Sequence, residues 1–156
     1  MNVSEVMTRG AACINGNATM AEAAALMWEH DCGCVPILRG DGGVMGMITD
    51  RDICMAALTQ GQRLQEMSVL SAATTDVATV RDTDDVETAM RLMDRRQVRR
   101  LPVVDGSSRV VGVVSINDLA RVAQRRGLQP APAPERVAGT LAAVGRSPEG
   151  MRANAS

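Results

Sequence analysis

The feature that most constrains this chain is that it occurs twice. Slid by 66 positions, Thr8 falls on Thr74, Ala12 on Ala78, Ala23 on Ala89 and Leu26-Met27 on Leu92-Met93. Pro36 then meets Pro102, Gly40 meets Gly106, Gly46 meets Gly112 and Asp52 meets Asp118. No gap is needed from about residue 8 to residue 57. A chance match would lose phase across two turns, so this is a tandem duplication. Each copy, at roughly 55 residues, is near the lower size limit for a core of its own. The copies are therefore expected to pack on each other.

Both copies read as the same string of elements. Thr19-Met20-Ala21-Glu22 is a capping box, followed by apolar residues at helical spacing (Met20, Ala23, Ala24, Met27). In the second copy Asp84 is read as the cap, ahead of Val86, Ala89, Met90 and Met93. The helix should end near His30 or Gln97. A strand with a proline near its start follows (Val35 to Leu38, Leu101 to Val104), then a Gly/Asp/Ser turn, then a second strand (Val44 to Ile48, Val110 to Val114). A second helix runs on to about Leu58 or Gln124. Cys13-Ile14 and Thr79-Val80 could each add a short strand before the first helix. The expected class is α+β: two β-α-β-β-α units at 1–60 and 72–127, a polar connector at 61–71, and a Pro/Ala-rich tail at 128–156. In that tail, Val137 to Val144 is read as one short helix before a disordered end.

The second helix opens on the motif that repeats most closely. Gly46-Met47-Ile48-Thr49-Asp50-Arg51-Asp52 is answered by Gly112-Val113-Val114-Ser115-Ile116-Asn117-Asp118. A hydroxyl residue followed three positions later by a carboxylate is, taken once, simply a helix cap. Taken twice it suggests a site. Unpaired N–H groups at a helix mouth favour an anion, while a carboxylate one turn in offers two acceptors to vicinal hydroxyls. Together they suit a ribose phosphate, with the glycine allowing close backbone approach.

This arrangement resembles a tandem CBS (cystathionine beta-synthase) domain pair over about residues 1 to 126. The resemblance implies two sub-domains related by a pseudo-twofold, with two clefts that bind AMP, ADP or ATP, or less often S-adenosylmethionine or NAD. It implies ribose contacts from Asp52 and Asp118 and phosphate contacts from Thr49 and Ser115. It implies adenine walls from Ala12, Cys13 and Val35 in one half, and from Ala78, Thr79 and Leu101 in the other. It also implies a homodimer, since helices of such pairs form a disc-shaped interface, and an isolated Trp28 on such a helix would suit it.

The arginines divide. Arg95 and Arg96 are read as complementing the helix dipole. Arg99 and Arg100 directly precede Leu101-Pro102, where the family resemblance implies phosphate contacts for the second copy, and Arg51 is a further phosphate candidate for the first. Gly33 and Cys34 stand where the second copy has Arg99 and Arg100, so the clefts are expected to differ.

Other readings are bland. His30-Asp31-Cys32-Gly33-Cys34 with Cys13 has metal-ligand residues, but one half-site is a weak zinc signal. Gly40 to Gly46 leads into a strand, so it is a hairpin turn and not a dinucleotide loop. A composition of 46% hydrophobic and 22% charged residues with net charge −1 argues against nucleic acid or an anionic membrane as partner. With no Phe or Tyr, one Trp and 11 Met, the core must be aliphatic and Met-rich. No secretory signal or membrane span is recognisable, so the expected location is cytoplasmic. With one histidine and no nucleophile beside a base, no catalysis is expected. The functional expectation is an adenine-nucleotide sensor acting on a separate protein target. A thiol- or zinc-responsive interaction module with empty clefts is the alternative.

Overall fold

A computed structural model describes residues 1–124 and 132–145. The duplication survives into three dimensions, register by register. Strand β1 (Thr8–Arg9) leads to β2 (Ile14–Asn15), helix α1 (Met20–Glu29), β3 (Cys34–Leu38), β4 (Val44–Thr49) and α2 (Asp50–Gln60). The second half supplies β5 (Val80–Arg81), α3 (Val86–Arg96), β6 (Arg100–Val104), β7 (Val110–Ser115) and α4 (Ile116–Gln124). Parallel β2 and β3 pair Ile14 with Ile37, and β5 and β6 pair Val80 with Val103, each residue 66 positions on. The antiparallel hairpins match as well: Cys34 faces Thr49 and Arg100 faces Ser115. Even the irregularity falls at one place, between Ile37 and Leu38 and between Val103 and Val104.

Local chemistry sets the helix starts. Thr19 accepts from the Glu22 N–H, and the Glu22 carboxylate accepts from the Thr19 N–H at 2.7 Å. In the second half the cap is Asp85, 66 positions after Thr19, and not Asp84. Asp85 accepts from the Thr88 N–H at 2.7 Å, while the Asp84 carboxylate turns back to the Arg81 N–H at 2.9 Å.

The halves are joined by an exchange of leading segments. β1 belongs by sequence to the first half, yet it pairs antiparallel with β7, Thr8 opposite Val113. Its counterpart Thr74 pairs with Met47 of β4, with both backbone bonds at 2.9 Å. The burial follows the crossing. Val3 and Met7 sit in the second half's core among Val86, Met90 and Leu101, whereas Met67 and Val69 sit in the first half's core among Met20, Ile37 and Ile48. The stretch read as a polar connector thus carries two core residues. Its 3-10 turn Val69–Ser71 matches Val3–Glu5 at the same 66-residue offset, so the copies stay in phase through the stretch read as a connector.

The motif glycines belong to this crossing. A β-carbon on Gly112 would lie 2.5 Å from the Thr8 carbonyl oxygen, and one on Gly46 would lie 3.1 Å from that of Thr74. The close approach they allow is therefore to another backbone of the same chain.

The tail supplies α5 (Pro134–Val144), with proline in its first turn and Val137 buried in the second half's core. It packs on α3 and α4. The disordered end expected beyond it, from residue 146, and the spacer residues 125–131 lie outside the described residues.

Candidate functional site

Because the leading segments cross, each repeated motif faces walls contributed mainly by the other copy. Thr49 and Asp52, at the mouth of α2, open on a cleft of about 420 Å3 whose opposite side is Ala78, Arg99, Arg100 and Leu101. Ser115 and Asp118, at the mouth of α4, open on a second cleft of about 390 Å3 against Gly10 to Ala12 and Cys32 to Cys34. Arg99 and Arg100 therefore stand opposite the Thr49 motif. Assigning Arg99 to the second copy's own motif is corrected, since it lines the Thr49 cleft alone, while Arg100 keeps a place beside Ser115 as well. Arg100 borders both clefts, as does Cys34 at the equivalent position, so this pair lies near the pseudo-twofold.

Each motif is closed on itself in the same way. The Asp52 Oδ2 accepts from the Thr49 N–H (2.9 Å) and hydroxyl (2.7 Å), and Thr49 Oγ1 accepts from the Asp52 N–H (3.1 Å). Ser115 and Asp118 repeat the set at 2.9, 2.6 and 3.3 Å. The box uses one carboxylate oxygen, and the other separates the clefts. Asp118 Oδ1 takes an N–H from Arg121 at 3.3 Å, an ion pair that has Met55 at the matching place in the first half. Asp52 has no such partner among the described residues. Its second oxygen remains an available acceptor at the cleft floor.

The walls also differ. Met47, Val77, Ala78, Val98, Leu101 and Pro102 make the first cleft mostly aliphatic, which suits a flat base with no ring to stack on. At its rim Arg96 donates to Asp76 at 2.9 Å, both side chains being well exposed. Three guanidinium groups thus meet this cleft, Arg96, Arg99 and Arg100, so Arg96 does more than complement the helix dipole. Its counterpart His30 borders the second cleft, and that equivalence was the available signal. The second cleft is more polar, bordered by Arg9, Asp31, Asn117 and Arg121 as well.

Not every expected residue reaches a cleft. Ala12, Ala78 and Leu101 do. Val35 is fully buried and packs into the first core, Thr79 is exposed outside both clefts, and Cys13 turns its thiol to the Ala11 carbonyl at 3.2 Å. Arg51 points to solvent from the outer side of α2, one position away from the cleft-facing Asp52. Burial raises the Cys13 thiol's pKa. Cys34 is pushed up to about 11, chiefly by burial; Arg100 opposes the shift while Cys32 and Asp50 add to it. Among the described residues no three His, Cys, Asp or Glu side chains are placed to hold a metal, so Cys13, His30, Cys32 and Cys34 do not form a ligand set. No helix among them is long and apolar enough to cross a membrane.

The CBS domain family model matches twice, over residues 3–59 and 69–125. The chain belongs to the CBS domain family. The two matches start where the 3-10 turns start, so they include the crossing segments. The CBS domain-containing protein YhcV of Bacillus subtilis (strain 168) is 37% identical over 119 residues, 76% of this chain and 83% of that protein. Hypoxic response protein 1 of Mycobacterium tuberculosis (strain H37Rv) is 33% identical over 117 residues, 75% and 81% of the two chains. A crystal structure of hypoxic response protein I with two coordinated zinc ions superposes with a TM-score of 0.70 at 32% identity, covering 78% of this chain and 98% of that one. The CBS pair of protein MJ0100, in complex with 5'-methylthioadenosine and S-adenosyl-L-methionine, gives 0.67 at 26% identity, covering 78% and 94%.

Proposed function

We propose that this CBS pair is a non-enzymatic regulatory module that binds an adenosine-containing ligand in the Thr49–Asp52 cleft and signals its occupancy to a separate protein. The observation that carries this reading is the facing of two unlike sets across one cavity. On one side stand a helix mouth, a hydroxyl and a carboxylate with an uncommitted oxygen. On the other stand aliphatic walls beside Arg99 and Arg100. The carboxylate suits ribose hydroxyls, the walls suit a base, and the guanidinium groups and helix N-terminus suit phosphate. Those guanidinium groups favour a phosphorylated adenosine over the cationic sulfonium of S-adenosylmethionine, which they would repel. The MJ0100 complex supports the adenosyl class. In the second cleft, Arg121 already occupies the carboxylate, so binding there is weaker.

The zinc-responsive alternative is less well supported. The related hypoxic response protein structure holds zinc, but here the candidate donors do not converge.

The test is calorimetric titration and thermal shift with AMP, ADP, ATP, NAD, 5'-methylthioadenosine and S-adenosylmethionine, on the wild type and on Asp52→Ala and Asp118→Ala. Loss of a charge-assisted contact in the first cleft should weaken phosphorylated ligands about 10-fold or more in Asp52→Ala and far less in Asp118→Ala. Both variants lose a helix cap worth roughly 0.5–2 kcal/mol, so each ligand shift is measured against that variant's own melting point. If no adenosyl ligand binds the wild type, the reading fails.

A further inference from the structure

The two copies carry unequal charge where their clefts meet. Arg100 stands at the position of Cys34, and Arg99 at that of Gly33, each 66 places on. A symmetric pair would have one such guanidinium for each cleft, whereas this chain places one between them. Arg100 borders the Thr49 cleft and the Ser115 cleft alike. Its reach depends on Gly33. A β-carbon there would lie 3.5 Å from Arg100 Nη2, so the guanidinium rests over bare backbone at the start of the other copy's strand. Cys34 feels the same charge, which opposes the rise in its thiol pKa.

Arg100 is also uncommitted. Asp50 Oδ2 comes within 2.9 Å of the same β-carbon position, yet among the described residues the Arg100 side chain makes no ion pair. The other guanidinium groups of the second cleft are engaged: Arg9 donates to the Ser4 carbonyl at 2.8 Å and Arg121 to Asp118 at 3.3 Å. In the first cleft Arg96 is held by Asp76, while Arg99 has no ion pair among the described residues. The first cleft thus has two uncommitted guanidinium groups and the second has one. That one is common to both.

Granted the adenosine-ligand reading, on which this rests, we propose that Arg100 sets the ligand class of the second cleft by serving the first. One guanidinium forks onto one phosphate at a time. A phosphorylated ligand in the first cleft has Arg99, Arg100 and the mouth of α2 to hold it. The second cleft then keeps only engaged arginines, beside the carboxylates of Asp31 and Asp118. That balance rejects a second phosphate. An uncharged nucleoside, with a base and ribose hydroxyls but no anion, is indifferent to the loss of Arg100. The pair therefore accepts one phosphorylated and one uncharged adenosyl ligand. The coupling is reciprocal, so a phosphate in either cleft weakens a phosphate in the other by the same factor.

Calorimetric titration of the full chain with AMP and with adenosine is the test. Asp52→Ala leaves the second cleft intact and Asp118→Ala the first, so each variant gives one cleft's own affinity. In the wild type the second AMP should bind at least ~5-fold more weakly than AMP binds to Asp52→Ala. Adenosine added to the AMP-loaded wild type should bind as tightly as it does to Asp52→Ala. In Arg100→Gln the two AMP sites should become independent, the second matching the Asp52→Ala/Arg100→Gln double variant. A second AMP that binds the wild type at full strength, or a coupling that persists in Arg100→Gln, would overturn the role of Arg100 and leave the adenosine-ligand reading standing. Binding of neither probe to the wild type would overturn both.

Discussion

Substituting Gly112 by alanine tests the strand exchange where it is tightest. The backbone at Gly112 is outside the left-handed region, so alanine is conformationally acceptable and should gain about 0.4–1 kcal/mol by restricting the unfolded chain. Against this, the new methyl would sit 2.5 Å from the Thr8 carbonyl oxygen and 3.0 Å from the Met7 sulfur, where a carbon–oxygen contact needs about 3.3 Å. The sulfur can swing aside, but the carbonyl cannot without moving β1 off β7. Overpacking of this kind costs about 1–3 kcal/mol, leaving a net loss of about 1–2 kcal/mol. For a chain of this size that is a fall of roughly 3–8 °C in melting temperature. At Gly46 the matching contact is 3.1 Å, a shortfall of a few tenths of an ångström, so Gly46→Ala should be near neutral. Melting curves rank the two variants, and amide exchange at Gly10, whose N–H bonds the Val111 carbonyl at 3.2 Å, reports β1 directly. A Gly112→Ala protein as stable as the wild type, or Gly46→Ala as the worse of the two, would refute the reasoning.

Three further outcomes are expected. Asp76→Asn releases Arg96 from an exposed pair and should tighten binding of a phosphorylated ligand in the first cleft by up to about 5-fold, measured by titration. Arg136→Ala removes the contacts to Glu87, Asp94 and Thr140 and should raise protease cleavage near α5, with a stability loss of about 1–2 kcal/mol in urea melts. The chain has no Lys and no Tyr, so between pH 9 and 11 its side-chain titration is that of cysteine alone. Cys34 holds its proton in the fold up to about 11 while the unfolded thiol ionises near 9.0. Its contribution is intact below pH 9 and is lost as pH rises through 11. Urea melts at stepped pH should show that alkaline decline, smaller in Cys34→Ala, and Cys34 should alkylate more slowly at neutral pH than exposed Cys54.

Much of this was legible in the sequence, because a duplication that stays in phase transfers every local inference from one copy to the other. Pro36 and Pro102 marked equivalent strands, and Thr49 and Ser115 with their aspartates marked equivalent helix mouths. What escaped was the connection between copies. Nothing in Thr8 or Thr74 says which sheet edge will accept it, since a two-residue strand carries almost no pattern. The cleft partnerships depend on that one fact, so the sequence does not show that Arg99 and Arg96 face the first motif, or that Arg100 borders both clefts. Met67 and Val69 were hidden for a similar reason, as two apolar residues in a polar stretch. The seat of α5 rests on Arg136 meeting Glu87 across 49 positions, a distance over which composition is silent.

The traded segments have one more consequence. Neither copy can finish its own sheet and core: the first lends Val3, Met7 and β1, and borrows Met67, Val69 and Thr74. A single copy expressed by itself would lack the edge that its partner provides, and would find it only by meeting another such copy and swapping ends. The duplicated chain carries that reciprocal loan inside one molecule, where it no longer depends on concentration.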